Sequence, residues 1–215
     1  MRKSDAIWKE LKHHLPFTLV LSLLAGVLVA VFYLIGSVPS RELFEVLHPA
    51  HVLVSAVATS AIYWKYKKSV VGGRWSVVGG EATKAILVGV SGAVLIGSLS
   101  DVLFPFLAGQ LFSLETIFHL PLVEEPGLIL GVALFGAVVG RYWDLFRVSH
   151  SLHVFLSVFA SLFYLLAFSV EMSAVAVLLI SGLVFLVVYI PCCISDIVFP
   201  LFFINEPCEG CGHWH

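Results

Sequence analysis

The sequence predicts an all-α integral membrane protein of six transmembrane helices, built as an inverted 3+3 repeat with both termini in the cytoplasm. Three observations carry this prediction. The 215-residue chain is 60% hydrophobic and only 12% charged, where a soluble domain carries roughly a quarter charged residues. Its apolar residues fall in long blocks, such as Phe17 to Gly36 and Ala85 to Ser98, on the scale of the ~20 residues that cross a hydrocarbon core. Rare polar residues recur in the same order in both halves.

The apolar blocks place spans at 16–36, 48–64, 84–106, 121–140, 150–169 and 173–200. An even number puts both ends on one side. Of the twelve Lys and Arg, Arg2, Lys3, Lys9 and Lys12 precede the first span. Lys65, Lys67, Lys68, Arg74 and Lys84 surround the second loop, Arg141 and Arg147 the fourth, and only Arg41 falls opposite. Positive charge concentrates on the cytoplasmic side of membrane proteins, which sets the orientation. The first block is too long for a signal-peptide core and lacks a cleavage site. The loop between spans two and three holds SVVGG twice, at 69–73 and 76–80, with no function assigned to it. The other loops leave no room for a soluble catalytic domain, so chemistry is confined to the bilayer and its edges.

Function is therefore sought in nine histidines and two span-embedded aspartates, because ionisable groups inside a membrane are expensive. His14-Leu15-Pro16 recurs as His119-Leu120-Pro121. HPAHVLVSAVAT from His48 recurs as HSLHVFLSVFAS from His150, and SDVLFP with Asp101 recurs as SDIVFP with Asp196. Chance likeness between apolar helices would match Leu and Val rather than these residues, so the halves read as a duplication. The organisation is a cytoplasmic segment 1–12, repeat one at 13–106, an outer connection 107–118, repeat two at 119–204 and a tail 205–215. Three spans per unit make the repeats inverted, a common plan of secondary transporters.

Tracing the sides sorts the ligands. His48, His51 and Asp101 reach the outer face, where His119 completes an outer site. His150, His153 and Asp196 reach the cytoplasmic face, where His14 completes an inner one. Residues at i and i+3 share a helix face, so each His pair can address one centre. Imidazoles with a carboxylate suit zinc, iron, nickel, cobalt or manganese better than ions that prefer all-oxygen shells. Ser100 and Ser195 are placed to orient the aspartates. Ser55 and Thr59, and Ser157 and Ser161, extend each histidine face inward as an ion path; the plain alternative is hydrogen bonding between packed helices. For the histidines themselves, the alternatives are proton relay, haem ligation and structural hydrogen bonding.

Pro16 and Pro121 fit the first turn of a helix, while Pro105 and Pro200 end or kink one after the aspartate. Glu124 and Glu125 break the symmetry; they offer a carboxylate or a proton carrier at the outer site, or complement a helix N-terminus. Cys192 and Cys193 stand where repeat one has Gly97 and Ser98. They either soften the inner site or simply pack as small apolar residues. The tail holds Cys208, Cys211, His213 and His215 in eight residues, a metal handle in a cytoplasmic setting or a redox pair.

These readings converge on a cell-membrane transporter for a divalent transition-metal ion, zinc or iron first, with one site of three histidines and an aspartate at each face. A second function is an intramembrane zinc-dependent hydrolase of lipid or peptide, with Glu125 as its base. A third is a membrane metal sensor acting through the tail. The partners are the lipid bilayer and the ion, with a homodimer open and no nucleic acid expected.

Overall fold

The computed structural model describes residues 3–36, 39–68, 79–142, 146–169, 182–184 and 188–204. Among these there is no strand. The helices are α1 (Lys3–Ile35), α2 (Ser40–Lys68), α3 (Gly80–Leu111), the single turn α4 (Pro121–Glu124), α5 (Pro126–Tyr142), α6 (Phe146–Phe168) and α7 (Gly182–Phe202). Four stretches, Ser40–Lys67, Gly80–Leu111, His150–Phe168 and Gly182–Phe202, are long and apolar enough to cross a membrane. The first and fourth expected spans coincide with shorter apolar helices, Leu19–Ile35 and Pro126–Tyr142.

Local chemistry sets the helix ends. Gly36 takes φ +94°, the left-handed conformation that closes a helix without a Cβ clash, and so ends α1. The α2 helix then starts before its apolar block. Glu42 lies in its first turn and Arg41 pairs with Glu45 at 3.0 Å, interactions that support a helix N-terminus. His48 and His51 therefore sit well inside α2, not at its start. Pro16 is likewise interior to α1, contrary to its expected first-turn place, because the polar residues from Lys3 onward continue the helix backward. Pro121 does occupy the start of α4.

Each SDxxFP motif adopts the same uncommon geometry. Leu99–Leu103 in α3 and Ile194–Val198 in α7 are π-helical turns, in which Phe104 and Phe199 donate backbone N–H to the carbonyls of Leu99 and Ile194. In that i→i−5 register the next donor would be Pro105 or Pro200, which have no N–H. The carbonyls of Ser100 and Ser195 are thus released from the helix. Side-chain hydroxyls replace the lost donors: Ser161 donates to the Ser100 carbonyl at 3.0 Å, and Thr59 to the Ser195 carbonyl at 3.4 Å. The prolines do not end these helices, which run on to Leu111 and Phe202.

α2 lies at the centre, packed against α3, α5 and α6. Gly136 and Gly140 let α5 approach closely, since a Cβ there would stand 2.3 Å from the Leu53 carbonyl oxygen and 2.2 Å from that of Val57. Small residues four apart permit such backbone contact between helices. α1 packs against α6, with Ala25 and Val29 joining Val154, Val158 and Leu162 in one buried cluster. Burial is inverted relative to a soluble protein. Val27, Leu34, Leu95 and Phe135 are exposed, while four histidines, two aspartates and eight Ser or Thr of α2, α3, α6 and α7 are buried, among them Ser55, Ser100 and Ser195. Lipid, not water, is the solvent that such a surface suits.

Candidate metal centre

His48, His51, Ser55 and Thr59 follow 3, 4, 4 spacing along α2, and His150, His153, Ser157 and Ser161 repeat it on α6. This spacing keeps each set on one helix face. The two faces meet, and the π-turns of α3 and α7 bring one aspartate to each.

Asp101 Oδ2 lies 2.9 Å from His48 Nδ1 and 2.5 Å from His51 Nδ1. Its Oδ1 accepts from the Ser157 hydroxyl at 2.7 Å and the Ser100 hydroxyl at 3.0 Å. Asp196 repeats the pattern, with His150 Nδ1 at 3.0 Å and His153 Nδ1 at 2.5 Å from Oδ2. Its Oδ1 accepts from Ser55 and Thr59, each at 3.2 Å. The hydroxyls therefore cross between the halves. α2 gives its histidines to Asp101 and its hydroxyls to Asp196, while α6 does the converse.

Both carboxylates and all four rings are fully buried by protein. Among the described residues, the ion pairs of Asp101 and Asp196 are made only with histidines. With neutral imidazoles the cluster would hold two uncompensated negative charges, which a low-dielectric interior does not tolerate. Protons on the histidines or bound cations must balance them. A neutral imidazole donating from Nδ1 keeps its lone pair on Nε2, and Nε2 of both His48 and His51 is buried with no hydrogen-bond partner. A carboxylate that holds the far nitrogen of a ligating histidine is a recurrent feature of metal sites. The ligand atoms of His48, His51 and Asp101, and those of His150, His153 and Asp196, lie within 4.8 Å of one another in each group. Both triads can hold a metal ion, and their donor set fits a transition metal.

The arrangement departs from the sequence expectation in two ways. The triads are not separated onto opposite faces: the rings of His51 and His153 stack with centroids 4.5 Å apart and planes 12° apart, so the triads adjoin. The histidines lie inside α2 and α6, which brings them to the place where these helices cross. His119 also does not join His48, His51 and Asp101. Its Nδ1 pairs with Glu124 Oε1 at 2.8 Å, and its ring stacks on Phe168 at 4.5 Å. The Phe44 ring contacts His119 on one hand and stacks with His48 on the other. The Leu120-Pro121 entry to the single-turn α4 turns this segment toward Glu124.

Glu125 is exposed and serves through its backbone, its carbonyl accepting from Leu128 and Ile129 to start α5. The glutamate that meets a histidine is Glu124. Ser55, Thr59, Ser157 and Ser161 form hydrogen bonds to the aspartates or their turns, and Ser195 lies 3.4 Å from Ser55. The side chain of His14 and the whole tail, with Cys208, Cys211, His213 and His215, lie outside the described residues. The sequence offers two readings of Cys192, softening of the inner site or packing as a small apolar residue. It groups with His51 and His153, one histidine from each half, and it stands where the first half has Gly97. No protein-family model, curated protein or solved structure matches this chain.

Proposed function

We propose that this protein is a membrane transporter for a divalent transition-metal ion, with zinc or iron first and nickel, cobalt or manganese compatible with the same ligands. Its frame is six spans in an inverted 3+3 repeat with both ends cytoplasmic. The carrying observation is the crossed network: two buried carboxylates, each held by a His pair of one half and by hydroxyls of the other. A site built that way at the interface of two similar halves is the arrangement through which rocking repeats expose an ion alternately to each side.

The chemistry follows from the residues. Each aspartate contributes charge and fixes its histidine rings, and the hydroxyls hold its second oxygen in place. The stacked His51 and His153 give an ion a short passage from one triad to the other. Loading displaces protons from histidines that carry them, so ion binding and proton release are linked. Both triads are closed from solvent, so this conformation is the occluded one, and movement of one half against the other opens it. The tail collects the ion at the cytoplasmic mouth.

The test is metal flux into proteoliposomes containing the full chain. The reading expects zinc or iron uptake that falls at least tenfold in His51→Ala/His153→Ala and in Asp101→Asn/Asp196→Asn. Wild-type rates in both variants would remove it.

A further inference from the structure

The two triads are related by sequence, but a third group of donors is not. Cys192, on α7 just before its π-turn, is a buried free thiol. Its Sγ and one nitrogen from each of His51 and His153 all lie within 4.8 Å of one another. The three donors come from three helices, α2, α6 and α7. His51 Nδ1 faces Asp101, while its Nε2 is buried without a hydrogen-bond partner. The His153 ring stacks on it. A donor set of two imidazoles and a thiol, with one imidazole nitrogen left unsatisfied in the protein interior, is more than packing requires.

The symmetry of the molecule isolates this feature. Gly97 precedes Ser100 by the same three residues that separate Cys192 from Ser195. A Cβ on Gly97 would stand 3.8 Å from His51 Cε1 and 3.9 Å from its Nδ1. The first half therefore also turns this position toward a histidine, but supplies no donor there. The thiol makes one site between the triads, not two.

We infer that His51, His153 and Cys192 form a third metal site, bridging the two aspartate triads and selective for borderline or soft ions that accept a thiolate. Sulfur ligation favours zinc, cobalt(II) or cadmium over manganese or magnesium, which prefer oxygen donors. The thiol gives up its proton when the ion binds, as coordinated thiols do. Because His51 and His153 each also belong to a triad, the site is a relay: an ion leaves Asp101 for the thiolate and then passes to Asp196. The relay role rests on the transport reading, but the binding site does not.

The experiment uses the full chain in detergent with Cys208→Ser and Cys211→Ser, so that the tail contributes no sulfur, and cobalt(II) as the probe. The parent should show a near-ultraviolet thiolate-to-cobalt charge-transfer band. Cys192→Ser should lose the band and keep the visible ligand-field absorption of cobalt held by nitrogen and oxygen, which also reports that the bundle is folded. Cys193 is present in both proteins, so a band that survives Cys192→Ser overturns the site. A parent that binds cobalt without any such band also overturns it. In proteoliposomes Cys192→Ser should lower cadmium flux at least tenfold relative to manganese flux. An unchanged cadmium-to-manganese ratio overturns the relay. A Cys192-dependent band in a protein that moves no metal upholds the site and overturns the transport reading. Metal flux in a protein without the band does the reverse.

Discussion

Removal of the Ser157 hydroxyl should weaken metal binding at the triad of the opposite half. Ser157 lies on the same helix face as His150 and His153, yet its hydroxyl donates at 2.7 Å to Asp101, the partner of His48 and His51. In an Asp196→Asn background only the Asp101 triad retains its carboxylate. There Ser157→Ala should reduce zinc affinity by about 10- to 100-fold, the usual effect of losing a group that orients a metal ligand. That corresponds to about 1.4 to 2.8 kcal/mol, in line with a hydrogen bond to a charged group. Ser55→Ala should change the same affinity by less than about threefold, since it does not touch Asp101. In an Asp101→Asn background the roles reverse, and the effect should be smaller. Each aspartate keeps a second hydroxyl donor, but the bond lost in Ser55→Ala is 3.2 Å long against 2.7 Å for Ser157, so about tenfold is expected. Competition against a chromogenic zinc chelator in detergent reads all four affinities. If Ser157→Ala spared the Asp101 triad and weakened the Asp196 one, the crossed network would be wrong.

Further outcomes follow from the same packing. Gly136→Ala and Gly140→Ala should each cost about 1–3 kcal/mol or more, because their Cβ atoms would meet backbone carbonyl oxygens of α2. Gly127→Ala and Gly131→Ala, which have open space, should leave thermal stability in detergent unchanged. Pro105→Ala restores an N–H that competes with Ser161 for the Ser100 carbonyl, so zinc affinity of the Asp101 triad should drop about 10-fold; an unchanged affinity would separate the π-turn from the site. His119→Ala should keep zinc affinity within about threefold, since Phe44 stands between His119 and His48, whereas a loss equal to that of His51→Ala would return it to the ligand set. Deletion of 205–215 should remove the tail's share of bound zinc and leave triad binding intact, as elemental analysis would record.

The helical class and the polar residues were legible because they depend on composition and on spacing along one helix. Intervals of 3, 4 and 4 place His48, His51, Ser55 and Thr59 on one face whatever else the chain does. Their partners were less legible. Hydrophobic blocks mark where a helix is apolar, not where it begins, so they leave Ser40 to Val46 outside the second span and put the histidines at a membrane face. Moving them inside α2 turns two distant sites into two adjoining ones. His119 differs for a similar reason: repetition of His-Leu-Pro suggests equivalent roles, but Glu124 exists in only one half and takes the ring. The π-turns could not be read from spacing, although the shared Pro105 and Pro200 mark where they form. The crossing of hydroxyls between halves depends on how α2 and α6 meet, which no single helix pattern contains.

The central claim is that the buried aspartate triads hold metal inside the bundle. The direct measurement is elemental analysis of the full chain, purified without an added histidine tag and equilibrated with zinc, beside its Asp101→Asn/Asp196→Asn variant. The account predicts that the native chain retains zinc in excess of what the isolated tail segment binds, and that the variant, while remaining folded, loses this excess down to at most the one ion that His51, His153 and Cys192 can hold. Equal zinc in the two proteins would contradict it.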